Sequence, residues 1–160
     1  MSHPTTPRRE RLAGEHGFTL IEVMVVVLVI GILLAVGIPT YLGARSRAQD
    51  KSAQSSLRAG QTTALVVFTD DGDFSGGVVA SLSAAEPTFK WVNSTTASAD
   101  DKTISVAPAS KGTEWGGAAL SDSGTCFYIR LSTSAPTRYG SSTSAACTGA
   151  QALTVTDADW

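Results

Sequence analysis

The chain has 160 residues, of which 16% are charged and 42% hydrophobic, and its formal net charge is −2. So small a charge offers no electrostatic footprint for nucleic acid. Two His and two Cys are too few for a structural zinc site, which normally takes four such ligands, and the composition is too apolar for a disordered chain.

Arg8, Arg9 and Arg11 lead into an apolar block. Residues 23–38 read VMVVVLVIGILLAVGI, with no charge and no hydrogen-bonding side chain. Taken back to Phe18, the span is broken only by Thr19 and Glu22. At ~1.5 Å per residue a helix over 18–38 covers the ~30 Å core of a bilayer. A core helix of a small soluble protein keeps a polar face; this one has none, so the span predicts a membrane segment. Three fates stay open for it: a permanent anchor, a removed secretory signal, or a processed segment retained by the mature protein. Leu42 stands where signal peptidase wants a small residue before Ala44, which disfavours the second. Three basic residues precede the span and three follow it (Arg45, Arg47, Lys51), so charge does not set its orientation. Glu22 is the informative residue. A carboxylate at mid-membrane costs about 2.5–3.5 kcal/mol; near the end it either snorkels or awaits a cationic partner, and its surroundings favour the latter.

From Tyr41 to about Phe68 the pattern turns amphipathic. Ala53, Leu57, Gly60, Ala64 and Phe68 recur at spacings of four and three, a helical stripe meant for a core. The helix should end at Asp70-Asp71-Gly72, with Gly as C-cap. Asp73–Ser98 reads as irregular, with a short helix around Ser81–Glu86. Strands are expected at Lys102–Ala107, Gly117–Leu120 and Cys126–Ser132, the last two joined through Ser121-Asp122-Ser123-Gly124. A short final strand is expected at Ala152–Thr156. The fold class is α+β: a long N-terminal helix on a small antiparallel sheet.

Catalytic patterns are missing. There is no phosphate loop, H-E-x-x-H or G-x-S-x-G, and His3 and His16 both precede the apolar span. No catalytic residue, cofactor or metal is assigned. Asp70-Asp71-Gly72-Asp73 lacks the ligand loop and closing Glu of a calcium site and reads as a solvated turn; Asp157 and Asp159 are read with the same restraint. Arg130 and Arg138 make a slight basic cluster in an otherwise acidic half. Cys126 and Cys147 pair if the domain is exported, and remain two buried thiols if it is not.

Residues 17–22, G-F-T-L-I-E, open the apolar run. This resembles the prepilin processing motif of type IV pilins and pseudopilins. The resemblance implies four segments: a cleaved leader at 1–17, a transmembrane and filament-core helix at 18–39, an amphipathic helix at 40–70 and a globular head at 71–160. It implies that a prepilin peptidase cuts between Gly17 and Phe18 and that Phe18 is then N-methylated. Glu22 would pair with the Phe18 amine of a neighbouring subunit, and Gly31, Gly37 and Pro39 would let the helix loosen on packing. Cys126–Cys147 resembles the pilin disulfide that bounds a surface loop, here displaying Thr133–Ala146, and would contribute roughly 3 kcal/mol by loop closure. The implied partners are further copies in a helical filament, the prepilin peptidase, the cytoplasmic membrane and the pilus assembly machinery, with no direct nucleic acid. The implied location is the bacterial cytoplasmic membrane as a single-pass precursor, then a surface pilus. Within the same resemblance stands a type II secretion pseudopilin or minor pilin; outside it, a membrane-anchored or secreted binding domain.

Overall fold

The structure, a computed structural model, describes residues 17–143 and 146–160. It divides into two units, one ending at Thr40 and one comprising Tyr41–Trp160. One helix, α1 (Leu20–Asp71), supplies residues to both. Residues 1–16, most of the expected leader, lie outside the described residues.

In the first unit every described residue is exposed. Helical structure continues through Gly31, Gly37 and Pro39. Pro39 cannot donate to the preceding turn, and the Thr40 hydroxyl donates to the Val36 carbonyl at 3.1 Å. This stretch is long and apolar enough to cross a membrane.

The second unit begins with the amphipathic part of α1. Ala53, Leu57, Gly60 and Ala64 are buried as their spacing predicts, and Phe68 is half-buried against the same core. The helix ends at Asp71, where Gly72 takes φ +80° and so ends the helix in the left-handed region that glycine enters without strain. Next come α2 (Val79–Ala85), β1 (Lys90–Val92), β2 (Thr103–Pro108), β3 (Glu114–Leu120), β4 (Cys126–Ser132), β5 (Arg138–Ser142) and α3 (Gly149–Ala152). The five strands form one sheet in the order β1-β2-β3-β4-β5. β1 runs parallel to β2, and the other neighbours are antiparallel. The β3–β4 hairpin turns where expected, with Gly124 at φ +90°.

The sheet is covered on both faces. Ile104, Trp115, Phe127, Ile129 and Leu131 pack with the α1 stripe. Trp115 is fully buried, and its indole N–H donates to the Gly77 carbonyl at 3.1 Å. Leu120, Cys126 and Tyr128 on the opposite face pack with Cys147, Ala152 and Val155. The disulfide Cys126–Cys147 ties that covering segment to β4. Gly149 is the close-approach point. Its N–H donates to the Ser105 hydroxyl at 2.8 Å, and a Cβ there would sit 2.5 Å from the Val106 carbonyl carbon.

Three expectations change. The final strand expected at Ala152–Thr156 is absent: Thr148 caps the short helix α3 instead, accepting from Gln151 N at 3.4 Å, and Tyr139 makes an isolated bridge to Asp157. The fifth strand lies inside the segment expected as a displayed loop. Arg138–Ser142 has little apolar alternation, and its strand state comes from pairing with β4, a tertiary effect that propensity does not register. β1 falls in the segment expected to be irregular, because three residues, Lys90-Trp91-Val92, carry no period. It is positioned by Trp91, which is buried and donates its indole N–H to the Glu86 carbonyl at 2.8 Å.

Candidate functional site

The candidate site is the beginning of α1. Gly17, Phe18 and Thr19 precede the helix and are exposed, Phe18 at 78%. Thr19 is its N-cap: the hydroxyl accepts from the Glu22 N–H at 3.3 Å, and the Thr19 carbonyl accepts from Glu22 N at 3.1 Å and Val23 N at 3.3 Å. A threonine followed three residues later by glutamate is the sequence signature of a capping box. The tetrapeptide T-L-I-E carries that signal, so Thr19 is a helix start as well as a break in the apolar run. The cap starts the helix after Phe18 and puts Glu22 in its first turn, where a carboxylate suits the positive end of the helix dipole.

Glu22 is exposed, and among the described residues the structure shows no salt bridge to it. Gly17 and Phe18 stand in non-helical backbone on the N-terminal side of the cap. The next charged residue along α1 is Arg45. Between them the large apolar side chains Val23–Leu42 are all about half exposed or more. Burying a side chain of this size is worth about 1.5–3 kcal/mol. Leaving this whole stretch in water would thus forgo on the order of tens of kcal/mol. The chain's chemistry requires lipid or protein around it. A Cβ at Gly31 or Gly37 would meet nothing within 4 Å, so no contact within the chain asks for glycine there.

The head holds no comparable arrangement. Arg130 and Arg138 are cross-strand partners on β4 and β5, but Arg130 is engaged: its guanidinium pairs with Glu114 and donates to the Val155 carbonyl at 3.4 Å. Among the described residues no three His, Cys, Asp or Glu side chains converge as a metal cage would need. Asp73 accepts from Ser75 N at 2.7 Å, and its bonds to Ser75 hold its carboxyl below the usual range. Asp70 and Asp71 end α1 and are exposed. Tyr128 donates to the Ala146 carbonyl at 3.1 Å, and burial pushes its phenol up.

Residues 12–38 match the family model described as the prokaryotic N-terminal methylation motif. Over 59 residues the chain is 39% identical to the type IV major pilin protein PilA of Myxococcus xanthus, a match spanning 37% of this chain and 27% of that protein. Over 86 residues it is 38% identical to the fimbrial protein EcpC of Eikenella corrodens, spanning 53% of this chain and 56% of the relative. Over 53 residues it is 45% identical to a fimbrial protein of Pseudomonas aeruginosa, spanning 33% and 34%. The chain thus aligns with roughly a quarter to just over half of the length of these relatives. No solved structure matches it. The chain carries the N-terminal methylation motif of prokaryotic pilins, and the curated proteins it resembles are type IV pilins and fimbrial proteins. These matches support a pilin-type subunit.

Proposed function

We propose that the chain is the structural subunit of a type IV pilus. It is made as a single-pass precursor in the cytoplasmic membrane of a bacterium, and prepilin peptidase cuts it after Gly17. Phe18 is then N-methylated, and the pilus assembly machinery adds the subunit to a surface filament of identical copies. The observation that carries this reading is the first part of α1: an unbroken apolar helix, exposed throughout, with one carboxylate in its first turn.

The chemistry of the processed terminus follows from that arrangement. Cutting between Gly17 and Phe18 frees an α-ammonium against apolar surroundings. An unpaired charge there is costly, and an opposite charge nearby offsets much of the cost. Glu22 is the only acidic residue between Phe18 and Asp50. When helices from several copies bundle, the Glu22 carboxylate of one receives the Phe18 ammonium of another. A single cation, the Phe18 ammonium, and a single anion, Glu22, on the apolar stretch before Arg45 set the register between copies. Gly31 and Gly37, which have no steric role within the chain, give neighbouring helices room to approach or to loosen around Pro39.

Mass spectrometry of the N-terminus, on sheared surface material and on the cell envelope separately, tests this. A start at Phe18 with one added methyl in sheared filaments is the expected result. The same start confined to the envelope overturns the surface pilus in favour of a pseudopilin or minor pilin. An intact Met1, or a start near Arg45, overturns the roles of Gly17, Phe18 and Glu22.

A further inference from the structure

β5 forms one edge of the sheet, and an open edge is a template for strand pairing with another chain. The segment Val155–Trp160 lies across it. On the face covered by α3, Val155 packs over Gly140, where an added Cβ would meet the Val155 methyl at 2.6 Å. At the edge, the Tyr139 N–H donates to the Asp157 carbonyl at 3.0 Å, and the two residues form an antiparallel bridge. On the face covered by α1, Trp160 stacks edge-on to Tyr139 at 4.7 Å and to Phe127 at 6.1 Å. Its indole N–H donates to the Tyr128 carbonyl at 2.8 Å, and the Arg58 guanidinium of α1 lies 5.1 Å from its ring centre. Six residues therefore pass from one face of the sheet, around its edge, to the other.

We propose that Val155–Trp160 is a clasp that conceals the β5 edge, and that the partner it excludes is the β5 edge of a second copy of this chain. A fimbrial subunit held at high local concentration gives such pairing its opportunity, but the clasp itself is argued from the head alone and does not depend on the filament. The edge contact is slight, one backbone bridge, so it cannot hold the segment unaided. Trp160 is the anchor: it joins two strands and α1 through one indole bond, two aromatic contacts and one cation–π contact, a type of interaction favoured by the electron-rich indole face. Asp157 and Asp159 add negative charge along the covered edge, which works against approach of an identical edge. Extension of the sheet by β5 against β5 is what remains when the clasp lifts, because alternate residues Tyr139 and Ser141 direct their backbone groups away from β4.

The test uses the full chain in detergent micelles with its disulfide formed. Amide hydrogen exchange is read at Tyr139 and in the β3–β4 centre, and self-association is followed by concentration-dependent light scattering. Trp160→Ala is expected to speed exchange at Tyr139 at least tenfold, to leave Ala118 and Ile129 protected, and to raise self-association above that of the parent chain. Gly140→Ala pushes Val155 away and should act in the same direction; Gly140→Ala with Val155→Ala should restore the parent behaviour. Exchange at Tyr139 within twofold of the parent in both single variants overturns the clasp. Faster exchange without added self-association overturns the concealed pairing edge. Loss of protection throughout β3 and β4 in Trp160→Ala, with Gly140→Ala unchanged, makes Trp160 a core residue and also overturns the clasp.

Discussion

Replacing Gly149 by alanine tests how the segment after the disulfide is seated. The added methyl would lie 2.5 Å from the Val106 carbonyl carbon, 2.7 Å from Ala107 N and 2.8 Å from Val106 Cα. All three are backbone atoms of β2 where it pairs with β3, so they cannot swing aside as a flexible side chain would. α3 must lift instead. Overpacking of this kind costs about 1–3 kcal/mol. Lifting also strains the bond from Gly149 N to the Ser105 hydroxyl, 2.8 Å and buried, and a buried donor left unpaired costs about 1–3 kcal/mol. Alanine's better helix propensity returns at most about 1 kcal/mol. The net is a loss of about 1–6 kcal/mol, which at about 2–4 °C per kcal/mol for a chain of this size lowers Tm by roughly 2–24 °C. Thermal unfolding in detergent micelles, followed by near-ultraviolet circular dichroism, reads this directly. Gly31→Ala is the control, since nothing lies within 4 Å of its Cβ position, and it should not lower Tm. A Gly149→Ala midpoint within about 1 °C of the parent would refute the close approach of α3 to β2.

Removal of the disulfide by Cys126→Ser with Cys147→Ser should cost roughly 3 kcal/mol, measured by urea unfolding with and without reductant; a parent chain equally stable in both conditions contradicts it. Tyr128 supplies a pH test. Burial raises its phenol above the ordinary value, so the neutral form is the one the folded state prefers. Its contribution is complete below about pH 10 and is lost as pH rises through the raised value, so unfolding midpoints should fall faster above about pH 10 in the parent than in Tyr128→Phe. Glu22→Ala should be processed normally and assemble poorly, as filament yield after shearing would report; normal filaments would remove the pairing with the Phe18 amine. Gly17→Leu should leave the precursor uncut on an immunoblot while Gly17→Ala is cut, and equal cutting of both would exclude prepilin peptidase.

Much of this protein is local and therefore legible in its sequence. The apolar helix follows from the absence of any polar side chain between Glu22 and Thr40, and its amphipathic continuation from the spacing of Ala53, Leu57, Gly60 and Ala64. Gly72 and Gly124 mark a helix end and a hairpin because those φ values suit glycine alone. The motif G-F-T-L-I-E with the apolar helix that follows it carries the pilin resemblance. Other features depend on partners far along the chain. Arg138–Ser142 becomes a strand because β4 presents a free edge to it, and Ala152–Thr156 does not become one because Gly149 and Ala152 are drawn onto β2 and β3 as the short helix α3. Lys90-Trp91-Val92 is too short to show a period, and pairing with β2 together with the burial of Trp91 makes it a strand. Trp160, an unremarkable residue in the sequence, gains its role from Arg58, Phe127 and Tyr139, which lie 102, 33 and 21 positions away. Periodicity and turn chemistry act over a few residues, whereas edges, close approaches and aromatic contacts exist only once distant segments have met.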